Sequence, residues 1–103
     1  MSADALSRPV PVVTLVTASG CHFCDDAHTA LQALIDGGAA ISLDVVAATS
    51  DLGRILIARH RPAMNPLVLV DGSYFSAGRL PRRKLESVLR RRGLIGAEVA
   101  RRG

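Results

Sequence analysis

The chain has 103 residues, of which 49% are hydrophobic and 21% charged. This composition is typical of one small globular domain and excludes intrinsic disorder, and no apolar run is long enough to predict a transmembrane helix. The formal net charge is +4, and most of the basic residues lie from position 79 onward. Because that basic run contains no aromatic residue for base stacking, we interpret it as a solvated helix face and expect no nucleic-acid partner.

The first predicted elements are a strand and a helix. Residues 12–16 form a short β-branched run between Pro11 and Gly20, which is typical of a buried strand. The following segment has helical spacing and predicts one packed face: Cys24, Ala27, His28, Leu31, Leu34 and Ile35. Gly37 and Gly38 predict the end of this helix.

A second strand and a second helix come next. Residues 40–46 predict a strand whose alternating side chains share one face: Ile41, Leu43 and Val45. N-cap candidates at residues 49–51 predict the start of the helix, and Pro62 predicts its end. Its expected packed side consists of Leu52, Ile55 and Leu56.

The C-terminal part predicts a hairpin and a last helix. Residues 67–70 follow Pro66 and form an apolar strand, and Asp71-Gly72 is a strong two-residue turn signal before a returning strand at residues 73–76. Pro81 suits the first turn of a helix. That helix carries apolar residues at helical spacing and a C-terminal glycine: Leu85, Val88, Leu89 and Gly93.

The predicted element order is therefore βαβαββα. A right-handed crossover favours parallel pairing of the first two strands, and the closing hairpin must be antiparallel. We expect an α/β fold with a four-stranded mixed sheet flanked by helices. The predicted organisation is a flexible N-terminal arm at residues 1–11, one domain at residues 12–93 and a basic C-terminal tail at residues 94–103.

The only two cysteines, Cys21 and Cys24, lie where the first strand turns into the first helix. Unpaired N–H groups and the helix dipole stabilise a thiolate there, so the pKa of Cys21 should lie below the ordinary value of about 8.5. Helix positions i and i+3 are near enough for a disulfide after a small rotation. We predict a redox pair in which Cys21 attacks and Cys24, on the apolar face, resolves.

The neighbouring charges act on this pair in opposite directions. A protonated His22 would lower the pKa of Cys21 further and make the disulfide a stronger oxidant. Asp25 and Asp26 oppose a second anion, and we interpret them as compensation of the helix dipole.

The strand, the stretch SGCHFCDDA, the helix and the proline before the hairpin together resemble a glutaredoxin of the thioredoxin superfamily, especially its small bacterial Gly-Cys-His-x-Cys-Asp-Asp-Ala members. The likeness covers residues 12–92 and implies a thioredoxin/glutaredoxin fold. It also implies a cis-proline at Pro66 that faces the cysteines and leaves the backbone of Asn65 free to pair with a substrate. We expect substrate contacts at His22, Phe23, Asn65, Pro66, Gly78 and Arg79.

The resemblance implies a dithiol–disulfide oxidoreductase that reduces protein or low-molecular-weight disulfides and needs no bound cofactor, with glutathione as a candidate reductant. The features that contact glutathione depart from the family pattern. Ala18 stands where a Lys or Arg is usual, Met64-Asn65 precedes Pro66, and residues 76–79 replace a Gly-Gly-acidic run. Arg79 could take over one carboxylate contact.

Leu15 stands where thioredoxins have a buried carboxylate. The apolar run at residues 12–16 is too short for a signal peptide and has no basic segment before it, so we expect a cytoplasmic protein whose thiols are kept reduced. We also expect a monomer without a membrane partner.

Two alternatives remain open. In the first, Cys21, Cys24 and His28 bind a metal, or the cysteines bind an iron–sulfur cluster between two copies. A closed zinc site needs four ligands, there is no second Cys or His pair, and His60 lies far along the chain, so we predict no metal site. In the second, the chain is a non-catalytic adaptor that binds partners through its basic C-terminal helix.

Overall fold

The computed structural model describes residues 10–91. Its seven elements have the predicted βαβαββα order: β1 (Val12–Thr17), α1 (His22–Asp36), β2 (Ser42–Ala47), α2 (Asp51–His60), β3 (Leu67–Val70), β4 (Ser73–Ala77) and α3 (Arg82–Arg91). Most of the predicted N-terminal arm, the predicted cap at Gly93 and the predicted tail at residues 94–103 lie outside the described residues. None of the described helices is both long and apolar enough to cross a bilayer.

The four strands form one mixed sheet in the order β2-β1-β3-β4, which confirms the predicted architecture. Strand β1 runs parallel to β2 and antiparallel to β3, and β3 pairs antiparallel with β4. The pairing of Val16 with Leu67 places Pro66, the residue before β3, beside the C-terminal end of β1. The segment after β1 and the segment before β3 therefore lie next to each other, at the end of the sheet where β1 ends and β3 begins.

The β3–β4 hairpin has the predicted turn and an irregular register. Asp71 and Gly72 have φ values of 51° and 81°, which is the left-handed geometry of a tight hairpin turn. The backbone N–H of Val12 donates to the Asp71 Oδ1 at 2.8 Å, which fastens the turn to the start of β1. A bulge between Val68 and Leu69 leaves Phe75 outside the ladder, so that this side chain reaches the core.

Apolar side chains pack on both faces of the sheet. The larger cluster joins the sheet to α1 and α3 through Ala27, Leu31, Leu85 and Leu89. The smaller cluster lies on α2, whose Leu56 and Ile57 pack against Val16, Leu67 and Leu69. The predicted helices on both faces are thus present, and Leu15 is completely buried in the core.

The predicted packed side of α2 is wrong. Leu52 and Ile55 are 52% and 54% exposed, and only Leu56 of the predicted trio packs inward. The side of α2 that faces the sheet instead consists of Gly53, which is buried, and of Leu56 and Ile57, which are partly buried. Gly53 determines which side of α2 packs on the sheet. A Cβ at this position would overlap the carbonyl group of Ala47, so the absence of a side chain lets the start of α2 lie directly on the end of β2.

Two further side chains are more exposed than expected. His28 lies at the surface, because the buried stripe of α1 runs through Cys24, Ala27 and Leu31. Val45 is 52% exposed, because β2 is an edge strand that pairs only with β1.

We predict that Gly53→Ala destabilises the fold. Helix propensity alone would make this change favourable by about 1 kcal/mol. Overlap with the Ala47 carbonyl should instead lower the free energy of unfolding by about 1–3 kcal/mol, as measured by urea denaturation followed by circular dichroism. Ala58→Gly, at an exposed position of the same helix, is the control and should cost about 0.5–1 kcal/mol. A Gly53→Ala variant more stable than wild type would contradict the close approach.

Candidate active site

The turn between β1 and α1 places Cys21 at the N-cap of the helix. Gly20 has a φ of 69°, a left-handed conformation that favours glycine, and Cys21 is extended with φ −98° and ψ 110°. The backbone N–H of Cys24 donates to the Cys21 Sγ at 3.1 Å. The sulfur therefore does what a serine or aspartate oxygen does at other helix starts: it pairs with a backbone N–H that has no partner within the helix.

Cys21 and Cys24 form a disulfide within the first turn of α1. Their Cα atoms are 5.2 Å apart, inside the usual range for a disulfide of about 4.4–6.8 Å. The i, i+3 spacing at a helix start thus brings the two sulfurs into bonding contact, as the sequence predicted.

The two cysteines differ in accessibility. Cys24 is 2% exposed and packs within the molecule, whereas Cys21 is partly exposed at the end of the helix. Cys21 is therefore the member of the pair that an incoming molecule can reach. This asymmetry agrees with an attacking and a resolving role, which stay predictions.

The neighbours of Cys21 on α1 form a small surface group. The Nε2 of His22 lies 3.4 Å from the Oδ2 of Asp26, and both side chains are largely exposed. The carboxylate of Asp26, one turn along the helix, would consequently offset any positive charge on His22. Phe23 is partly buried, with its ring centroid 6.4 Å from that of His22.

The second group of predicted site residues lies around Pro66. The Asn65–Pro66 peptide bond is cis, and Pro66 is buried. The N–H of Gly78 donates to the Pro66 carbonyl at 2.9 Å. Gly78 has a φ of 86°, a left-handed conformation that favours glycine, and it lies against the exposed side chain of Met64. The N–H of Gly78 is thus used within the chain, where it holds the segment before β3, and the substrate contact at Gly78 stays a prediction.

Two grooves include residues of the elements that flank the disulfide, β1 and α1. One, with a volume of about 470 Å³, is lined by Asp26 and residues 79–84, which include the predicted contact Arg79. The other, of about 330 Å³, is lined by small and hydroxyl-bearing residues at the ends of β1 and β2: Thr17, Ala18, Ser19, Ala47 and Thr49. Neither groove was predictable from the sequence, because each combines residues that are remote in the chain. The one signal for the first was the position of Asp26 one turn after His22.

Metal ligation has no support in the described part of the chain. Residues 10–91 contain no group of three or more His, Cys, Asp or Glu side chains that could hold a metal ion. His28 is exposed on α1, and His60, at the end of α2, has its ring 6.4 Å from that of Tyr74. Among these described residues, His28 therefore does not converge with the two cysteines, whereas a cluster held by the cysteines of two copies stays a hypothesis.

Comparison with known proteins gives a structural match without a sequence match. No protein-family model and no curated protein matches the chain. Solved structures do match, among them an uncharacterized thioredoxin-like protein from Clostridium perfringens, with a TM-score of 0.64 and 12% identity over 84% of this chain and 73% of that one. This likeness, together with the four-stranded mixed sheet and three flanking helices, shows that the chain has a thioredoxin fold.

Proposed function

We propose that this protein is a glutaredoxin-like dithiol–disulfide oxidoreductase in which Cys21 is the attacking thiolate and Cys24 the resolving thiol. The observation that carries the proposal is the Cys21–Cys24 disulfide at the start of α1, with Cys21 accessible and Cys24 buried. A thioredoxin fold with a Cys-x-x-Cys disulfide at a helix N-terminus supports a redox role in general.

The N-cap geometry supports Cys21 as the nucleophile. In the reduced protein the Cys24 N–H that reaches the Cys21 sulfur would donate to a thiolate, and a hydrogen bond to an anion is stronger than one to a neutral acceptor. The positive end of the helix dipole acts in the same direction. Both effects favour the charged form, so we expect the pKa of Cys21 to lie below the ordinary value of about 8.5 for a free thiol.

The reaction follows the standard course of thiol–disulfide exchange. The Cys21 thiolate attacks one sulfur of the substrate disulfide, a mixed disulfide forms, and the other substrate sulfur leaves as a thiolate. Cys24 then loses its proton and attacks the Cys21 sulfur, which closes the intramolecular disulfide and releases the second substrate thiolate. The substrate gains two electrons and the protein dithiol loses two.

A thiol reductant must return those two electrons, and the reaction runs in the cytoplasm, where such thiols are abundant. Glutathione is the candidate reductant. It would bind without the usual cation, because Ala18 occupies that position in the groove lined by hydroxyl-bearing residues. The partly buried Phe23 and Asn65 are the candidate contacts for the chain that carries the substrate disulfide.

Selective alkylation tests the thiolate. In the reduced protein we expect iodoacetamide to modify Cys21 much faster than Cys24, with a pH midpoint below that of a free thiol. Mass spectrometry of quenched samples at a series of pH values identifies the modified residue, and Cys21→Ser is the control that should remove the fast phase. Equal rates at the two cysteines would contradict the assignment of the nucleophile.

Trapping tests the exchange reaction. Cys24→Ser should accumulate a mixed disulfide with a disulfide-bonded peptide, because the resolving thiol is absent, whereas Cys21→Ser should form none. The species are separated by non-reducing electrophoresis and identified by mass. If wild type exchanges no disulfide and neither variant forms an adduct, the protein is not an oxidoreductase of this kind.

A further inference from the structure

We propose that the disulfide substrate is an acidic polypeptide whose carboxylates bind in the groove formed by Asp26 and residues 79–84, here called the basic groove. This inference rests on the proposed function and names the class of its substrate. The groove has a volume of about 470 Å³, within the range of sites that hold small molecules or peptide segments.

The charges of the basic groove favour an anion. Four cationic side chains face it against the single carboxylate of Asp26: Arg79, Arg82, Arg83 and Lys84. The three arginines are exposed, and guanidinium groups pair with carboxylates through two parallel hydrogen bonds. Lys84 is oriented by the Phe75 ring, with its Nζ 5.4 Å from the ring centroid. Leu80 and Pro81 supply an apolar surface between the charges.

The basic groove is linked to the disulfide through α1, because Asp26 lines the groove and lies on the helix whose first turn holds Cys21 and Cys24. Asp26 forms part of its wall, and the same carboxylate lies 3.4 Å from the imidazole of His22, the residue that follows Cys21. Asp26 lies five positions after Cys21, which corresponds to about 7–8 Å along the axis of α1. An extended peptide spans about 3.3 Å per residue, so acidic residues a few positions from the substrate cysteine would reach the groove.

Use of both the basic groove and the disulfide restricts which class of anionic molecule can be the substrate. A molecule that uses both must carry a disulfide as well as carboxylates, which a polypeptide does and a nucleic acid does not. The only aromatic ring that contacts a groove cation in the described residues, Phe75, is buried beneath Lys84 and is not free to stack on a base. A small disulfide with few carboxylates would leave part of the cationic lining without a partner.

Three peptides of equal length test the proposal. Each carries one cysteine as a mixed disulfide with thionitrobenzoate, flanked by Glu, Gln or Lys residues. The reduced protein supplies two electrons, and the products are the peptide thiol, the coloured thionitrobenzoate and the Cys21–Cys24 disulfide. We expect the Glu peptide to react about tenfold faster than the Gln peptide at low salt and the Lys peptide to react slowest, with the differences shrinking as salt screens the charges.

A matched pair of double variants tests whether the preference for the Glu peptide comes from the basic groove. Arg82→Gln/Arg83→Gln removes two charges from the basic groove, and Arg54→Gln/Arg59→Gln removes two exposed charges from α2. The readout is the ratio of the Glu-peptide to the Gln-peptide rate constant within each protein, so a general loss of activity cancels. We expect this ratio to fall at least fivefold in the groove variant and to keep its wild-type value in the α2 variant.

Several results would overturn the proposal. Equal rates for the Glu and Gln peptides would remove the acidic preference while leaving the oxidoreductase intact; reduction of no peptide at all would remove the proposed function too. If the ratio of the Glu-peptide to the Gln-peptide rate constant fell equally in both variants, the preference would come from the net charge of the protein and not from the basic groove. Glutathione disulfide that reacts as fast as the Glu peptide, with the same sensitivity to the groove variant, would assign the groove to a small ligand. A single-stranded oligonucleotide that competes better than a disulfide-free Glu peptide of equal charge would assign it to nucleic acid.

Discussion

The hydrogen bond from the Cys24 N–H to the Cys21 sulfur caps the start of α1 and also contacts the proposed nucleophile. The same sulfur atom caps the helix, forms the disulfide and, in the reduced protein, is the proposed nucleophile. A serine hydroxyl could cap the helix at this position, but it could not exchange electrons. Because the cap places the sulfur among backbone N–H groups at the positive end of the dipole, the stability of the helix start and the reactivity of Cys21 have one physical origin.

The rest of the fold keeps this turn in place. Strand β1 is central, and its pairing with β3 puts Pro66 at the edge of the sheet where Cys21 lies. Gly78 holds the Pro66 segment through its N–H, and α3 begins just after it. The residues that follow Gly78 and the first turn of α3 then line the basic groove together with Asp26 of α1. The helix that begins at the accessible sulfur thereby also lines a cationic surface.

Local patterns in the sequence were sufficient for the element order, the mixed sheet and the cysteine pair. Each depends on residues close in the chain: an apolar strand, an i, i+3 spacing, or Asp71-Gly72 at a turn. The errors concern packing between distant segments. Helical periodicity favoured Leu52 and Ile55 as buried, but the contact of Gly53 with Ala47 turns them to the surface. The groove that Asp26 shares with residues 79–84 was not predictable either, because it depends on how α1 and α3 pack on the same side of the sheet.

The reduction potential of the Cys21–Cys24 pair tests most directly whether the two cysteines form a working redox couple. The protein is equilibrated with dithiothreitol or glutathione buffers of known potential, and the oxidised fraction is measured by alkylation and mass spectrometry. We predict a reversible two-electron titration with a midpoint between about −270 and −120 mV, the range of thiol–disulfide oxidoreductases. A midpoint below about −300 mV, typical of structural disulfides in secreted proteins, would contradict a catalytic role for the pair.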